Sequence, residues 1–108
     1  MNYEIFYPSP LSTISDITND NIDVVIIVDG KEFGIVAVTP ENLKFLMTSG
    51  KTPFLVPGSP FAIVESLTEK NIKLLVENLV NDPLLLRLYG SDVLTIIEKN
   101  QIDHDTPV

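Results

Sequence analysis

A chain of 108 residues and 12.0 kDa corresponds to one compact domain, long enough to bury roughly two-thirds of its unfolded surface without a staple. Its lack of Cys excludes disulfide scaffolds, thiolate zinc sites, iron–sulfur clusters and cysteine nucleophiles. Seven Lys+Arg against fifteen Asp+Glu give a net charge of −8, which repels phosphate backbones and anionic lipid surfaces, while 44% hydrophobic residues set the chain apart from disordered polymers.

The opening MNYEIFYPSPLSTIS carries no Lys or Arg and no continuous apolar stretch, so a secretory signal is not expected. The longest unbroken apolar run, Val24–Val28, falls far short of the ~20 residues that cross a bilayer, and a cytoplasmic location is the expectation. Tyr3–Tyr7 is a β-prone run stopped by Pro8 and Pro10. Because proline removes a backbone donor, a strand here is short or lies at a sheet edge. Leu11–Asn21, rich in Ser, Thr, Asp and Asn, reads as a loop with at most one helical turn. Residues 1–21 are thus an edge strand followed by an acidic loop. The first thirty positions hold Glu4, Asp16, Asp20, Asp23 and Asp29 and no base.

Ile22–Val28 contains five consecutive β-branched residues, and Asp29-Gly30 supplies the positive φ angles of a type I′ turn. Glu32–Val38 returns as the second strand of a hairpin. Thr39-Pro40-Glu41 opens a helix with a capping hydroxyl, a proline at the first helical position and an acid near the positive end of the dipole. Leu43, Leu46 and Met47 predict its buried face, and Gly50 its stop. Lys51–Pro60 is a loop with a turn at Pro57-Gly58, and Phe61–Glu65 resumes a strand. Ser66 with Glu69 predicts a capping box for a second helix, whose Ile72, Leu75, Val76, Leu79 and Val80 follow the 3.6-residue period. Asp82-Pro83 ends it and starts a short helix over Leu84–Tyr89, closed by Gly90. Val93, Ile96 and Ile97 favour a helix over Ser91–Asn100 against a strand, and residues 101–108 read as a frayed tail. The order gives an α+β domain: a small antiparallel-rich sheet with a ββαβα core, helices packed on it and a helical C-terminal part.

The stretches Asp23-Val24-Val25, Asp29-Gly30-Lys31-Glu32-Phe33-Gly34, Thr39-Pro40-Glu41-Asn42-Leu43 with Leu46-Met47, and Ile63-Val64-Glu65-Ser66-Leu67-Thr68 resemble a family of small, uncharacterised bacterial α+β proteins. The resemblance covers about half the chain, from Asp23 to Leu79, and rests on turn, cap and core residues. It implies the ββαβα arrangement and carries no activity.

Few residues offer chemistry. The lone histidine, His104, sits between Asp103 and Asp105 in the polar tail, a poor place for the preorganised geometry that catalysis needs. Asp23, Asp29, Glu32 and Glu65 fall at strand ends and turns, where acids commonly protect sheet edges, and none follows a known cation-binding spacing. Gly30, Gly34, Gly50, Gly58 and Gly90 form no phosphate loop, and Ser9, Ser49, Ser59 and Ser91 lack a nucleophile-elbow context. Arg87 is the one residue with a bidentate fork, and it has no basic neighbour. No enzyme activity, cofactor, metal, nucleic acid or membrane partner is expected.

The informative excess is apolar. Val24, Ile26 and Val28 mark one face of the first hairpin strand, and Ile22, Val25 and Ile27 in part the other. On its partner strand, Phe33, Ile35 and Ala37 oppose Val36 and Val38. Leu84, Leu85, Leu86, Leu88 and Tyr89 surround almost the whole circumference of a short helix, more than one intramolecular face requires. Leu84, Leu85, Leu88 and Tyr89 are therefore the candidate contact for another protein. The leading expectation is a non-enzymatic acidic interaction module, of the immunity, antitoxin or anti-defence inhibitor type, that meets a basic protein, a second copy of itself, or both. A homo-oligomeric accessory subunit is the alternative, and a small-ligand-binding enzyme a more distant one.

Overall fold

The β-branched run and its Asp-Gly turn form the centre of the molecule. In the computed structural model, which describes residues 2–56, 60–89 and 91–92, β2 (Asn21–Val28) and β3 (Lys31–Val38) pair antiparallel from Asn21↔Val38 to Val28↔Lys31. Asp29 (φ 50°) and Gly30 (φ 80°) occupy the left-handed region between them, as a type I′ turn requires. β1 (Tyr3–Phe6) adds antiparallel to β2 and forms the sheet edge before Pro8. After α1 (Pro40–Gly50), β4 (Phe61–Ile63) pairs parallel to β3, so the sheet runs β1-β2-β3-β4 with one parallel junction. α2 (Glu69–Val80) and α3 (Pro83–Tyr89) follow, and β5 (Ser91–Asp92) pairs antiparallel with Phe33 and Gly34 of β3. The fold is α+β, and among the described residues no helix is long and apolar enough to cross a membrane.

One face of the sheet makes the core. Ile22, Val24, Ile26, Val28, Ile35 and Ala37 close against Val64, Leu67, Ile72, Val76, Leu79, Val80 and Leu86. Ile22 thus shares the face of Val24, not that of Val25 and Ile27, because side chains alternate with a period of two. At about 25 cal/mol per Å² of apolar surface removed from water, this cluster is the main source of stability.

Several local expectations are corrected. Ser66 does not cap α2: the Thr68 hydroxyl accepts from the Asn71 N–H at 3.1 Å, two residues later, and Ser66 instead accepts from the Asn71 side-chain amide. α1 does stop at Gly50, its last helical residue, and the following Lys51 (φ 56°) makes the left-handed reversal. The predicted apolar face of α1 is not buried. Leu43 and Met47 are half-buried, Leu46 is exposed, and the buried residue of the helix is Asn42. The β4 strand is shorter than Phe61–Glu65. Ser91 and Asp92, expected in a helix, lie in a strand because the open edge of β3 at Phe33 and Gly34 provides backbone partners. The remainder of the Ser91–Asn100 expectation and the tail lie outside the described residues.

Candidate interaction surfaces

Asp23, Asp29, Glu32 and Glu65 do not converge on one point. Asp23 and Glu32 share a sheet face, but Glu32 lies opposite Ile27, four residues along β2 from Asp23 and about 14 Å away on the strand. Asp29 is in the turn, and Glu65 follows the end of β4. Among the described residues, no group of three or more His, Asp or Glu side chains could hold a metal ion. Arg87 is exposed in the last turn of α3, where a cation complements the carbonyl end of the helix. His104, Gly58, Ser59 and Gly90 lie outside the described residues.

Polar side chains instead build a structural clamp. Thr39, fully buried, caps α1 by accepting from the Asn42 N–H at 3.3 Å, and its hydroxyl also accepts from the Asp20 N–H at 3.3 Å. Asn42 donates its side-chain amide to Asn19 at 3.1 Å and accepts from the Asn21 amide at 2.8 Å. The first turn of α1 is thereby tied to the start of β2. The Tyr7 hydroxyl is buried without a hydrogen-bond partner among the described residues. Burial first, and the nearby Glu69 carboxylate second, push its pKa up.

The Leu-rich helix gives the first apolar surface. Asp82 starts α3, accepting from the Leu85 N–H at 3.2 Å. Over seven residues Leu86 is the one buried side chain, and Leu85 packs against the core beside it. Leu84 is 73% exposed, Leu88 77% and Tyr89 45%, while Leu85 is half-buried. Leu85, Leu88 and Tyr89 line a cleft of about 620 Å³ together with Leu75, Asn78 and Leu79 of α2 and Phe61 and Ile63 of β4. Three of the four candidate contact residues therefore share one cavity, and Leu84, one helical turn before Leu88, is exposed and outside its lining. Sequence reasoning missed Phe61 and Ile63. They reach it through the long-range parallel pairing of β4 with β3, which leaves no local signal.

The second surface is the sheet face opposite the core. Alternation brings Glu4, Phe6, Asp23, Val25, Ile27, Glu32 and Val36 to it. Phe6 is 56% exposed, and Val25, Ile27 and Val36 are half-buried. α1 joins this side at the Asn21 end, through Asn42 and Asn21, where Val38 of the same face is buried.

Compared with family models, curated proteins and solved structures, the chain matches none.

Proposed function

We propose that this chain is a non-enzymatic, acidic protein-interaction module that acts as a two-fold dimer joined through α3 and its neighbouring cleft. The observation that carries the reading is the pairing of a knob with a hole on one patch. Leu84 projects at 73% exposure one helical turn before Leu88, which with Leu85 and Tyr89 lines the cleft. A two-fold contact needs one patch that is complementary to itself, and this patch carries both halves of the complementarity. Each Leu84 enters the partner's cleft, and each cleft receives one Leu84. The contact is apolar at its centre, so the charge of −8 on each copy opposes it only at long range, and added salt strengthens it modestly. A dimer of this kind presents a strongly acidic surface to a third molecule. That is the physical profile of immunity proteins, antitoxins and anti-defence inhibitors, in which negative charge speeds association with a basic target.

Light scattering at micromolar concentration tests the reading. The expected mass is twice 12.0 kDa for the wild type and 12.0 kDa for Leu88→Asp, the variant keeping a cooperative melt because Leu88 is 77% exposed and losing only the stabilisation that association supplies. A wild-type monomer at 12.0 kDa overturns the dimer.

A further inference from the structure

The sheet face turned away from α2 and α3 combines an apolar centre with carboxylates on its margin. Glu4, Ile27 and Glu32 form one cross-strand row, Phe6 and Val25 the next, and Asp23 and Val36 a third. Phe6 and all three acids are exposed. Lys31 is the one base on β1, β2 and β3, and alternation puts it on the opposite side, in register with the core residue Val28. Lys44 and Lys51 belong to α1 and its cap, and that helix enters beyond Asp23, at the Asn21 end of the face.

We infer that this face docks a cationic amphipathic segment of another protein, one that lays an apolar stripe over Phe6, Val25 and Ile27 and sets Lys or Arg against Glu4, Asp23 and Glu32. The choice of occupant follows from charge. Phosphates of nucleic acid and anionic lipid meet three carboxylates and are repelled. A second copy of the chain brings Glu4, Asp23 and Glu32 against acids of the same face, which disfavours self-association here and leaves it to α3. A partner with basic flanks gains on-rate and register from the carboxylates, and residence time from the apolar centre. The inference rests on reading the chain as a protein-binding module. It does not rest on the dimer contact, because Phe6, Val25 and Ile27 lie across the sheet from α3.

The test uses a short amphipathic helical peptide of Leu and Lys as probe, with a Leu/Glu peptide and a Ser/Lys peptide of the same length as controls, each titrated calorimetrically into the full chain. Binding of one Leu/Lys peptide per chain is expected, weakened about tenfold by Glu4→Gln/Asp23→Asn/Glu32→Gln and about tenfold by raising NaCl to about 0.5 M. Phe6→Ser weakens it comparably, Leu88→Asp leaves it unchanged, and neither control peptide binds. Backbone amide shifts on titration move at Phe6, Val25 and Ile27. Failure of the Leu/Lys peptide to bind overturns the inference, as does Ser/Lys binding of equal strength or shift changes confined to α3. Should the triple variant not fold, the Phe6→Ser titration and the shift map decide. Loss of Leu/Lys binding in Leu88→Asp places the site on the dimer surface and overturns the inference while sparing the dimer.

Discussion

α1 and α2 begin alike and end in different circumstances. Each has a Thr cap that accepts from the N–H of an Asn three residues on, Thr39 to Asn42 and Thr68 to Asn71, and each places a Glu in its first turn. α2 then buries Ile72, Val76, Leu79 and Val80, whereas α1 buries only Asn42. Phe45 and Leu46 of α1 remain 53% and 36% exposed. The caps settle where the helices start. Docking is settled by what lies opposite: α2 meets the apolar face of β2 and β3, and α1 is held by amide hydrogen bonds to Asn19 and Asn21.

The sharpest way to break this comparison is to cut matching apolar side chains from the two helices. Ile72→Ala is expected to lose about 2–5 kcal/mol in chemical denaturation, since Ile72 is fully buried among the sheet residues, and Leu46→Ala less than about 1 kcal/mol. Equal losses would mean that α1 is docked as firmly as α2. The polar clamp comes next. Asn42→Ala removes partners from both Asn19 and Asn21 and should destabilise by about 1–2 kcal/mol, with faster hydrogen exchange in α1 than in α2.

The caps sharpen the contrast on a smaller scale. Thr68→Ala is expected to lose about 1 kcal/mol, the usual worth of a capping hydroxyl. Thr39→Ala should lose more, because the same buried hydroxyl also serves Asp20. Thermal melts of the two variants, compared at one pH, check the order.

The smallest effects are electrostatic. Tyr3 donates its hydroxyl to the Glu77 carboxylate at 3.0 Å and ties β1 to α2. Desolvation first, then that hydrogen bond and the charge of Glu77, raise its pKa above the ordinary 10.0. A raised value means that the contribution is complete below pH 10.0 and is lost as pH rises through the folded pKa. Tyr3→Phe should therefore flatten the alkaline decline in stability, with Tyr7 supplying the remainder. Asp16 behaves in the opposite sense. Hydrogen bonds from the Thr18 hydroxyl and N–H lower its pKa below 3.8, so its contribution is present above 3.8 and disappears as pH falls through the folded value. Asp16→Asn should flatten the acid limb of the same denaturation series.

The parts of the fold legible in the sequence are those dictated by neighbouring residues. Asp29-Gly30 after five β-branched residues specifies a turn and a register together, and the period of Ile72, Leu75, Val76, Leu79 and Val80 specifies one buried face. The fate of α1 was not legible. Leu43, Leu46 and Met47 have the same spacing as a docked stripe, and only the tertiary arrangement shows that Asn42 is the residue turned inward. The start of α2 was misplaced for a related reason: Ser66 and Thr68 both precede Glu69, and the choice between two hydroxyls depends on the preceding chain, where the Leu67 N–H is fixed by the Ile17 carbonyl at 2.8 Å. For the candidate contact, the Leu-rich composition of α3 pointed to Leu85, Leu88 and Tyr89. The facing residues Phe61 and Ile63 come from a strand placed beside them by the parallel junction with β3, a long-range feature with no local signature.

The absence of Cys from the chain permits a direct test of the dimer through α3. Isotopically labelled chains carrying only Leu84→Cys are mixed with unlabelled chains carrying only Leu88→Cys, oxidised mildly and separated by mass, so that heterodimer and homodimers are distinguished. A knob seated in the partner's cleft predicts a Leu84→Cys/Leu88→Cys heterodimer that forms well ahead of any crosslink between Leu84→Cys and Lys51→Cys, Lys51 being exposed at the end of α1. Crosslinking at the same slow rate for both mixtures would contradict the dimer and leave the cleft without a second copy of this chain.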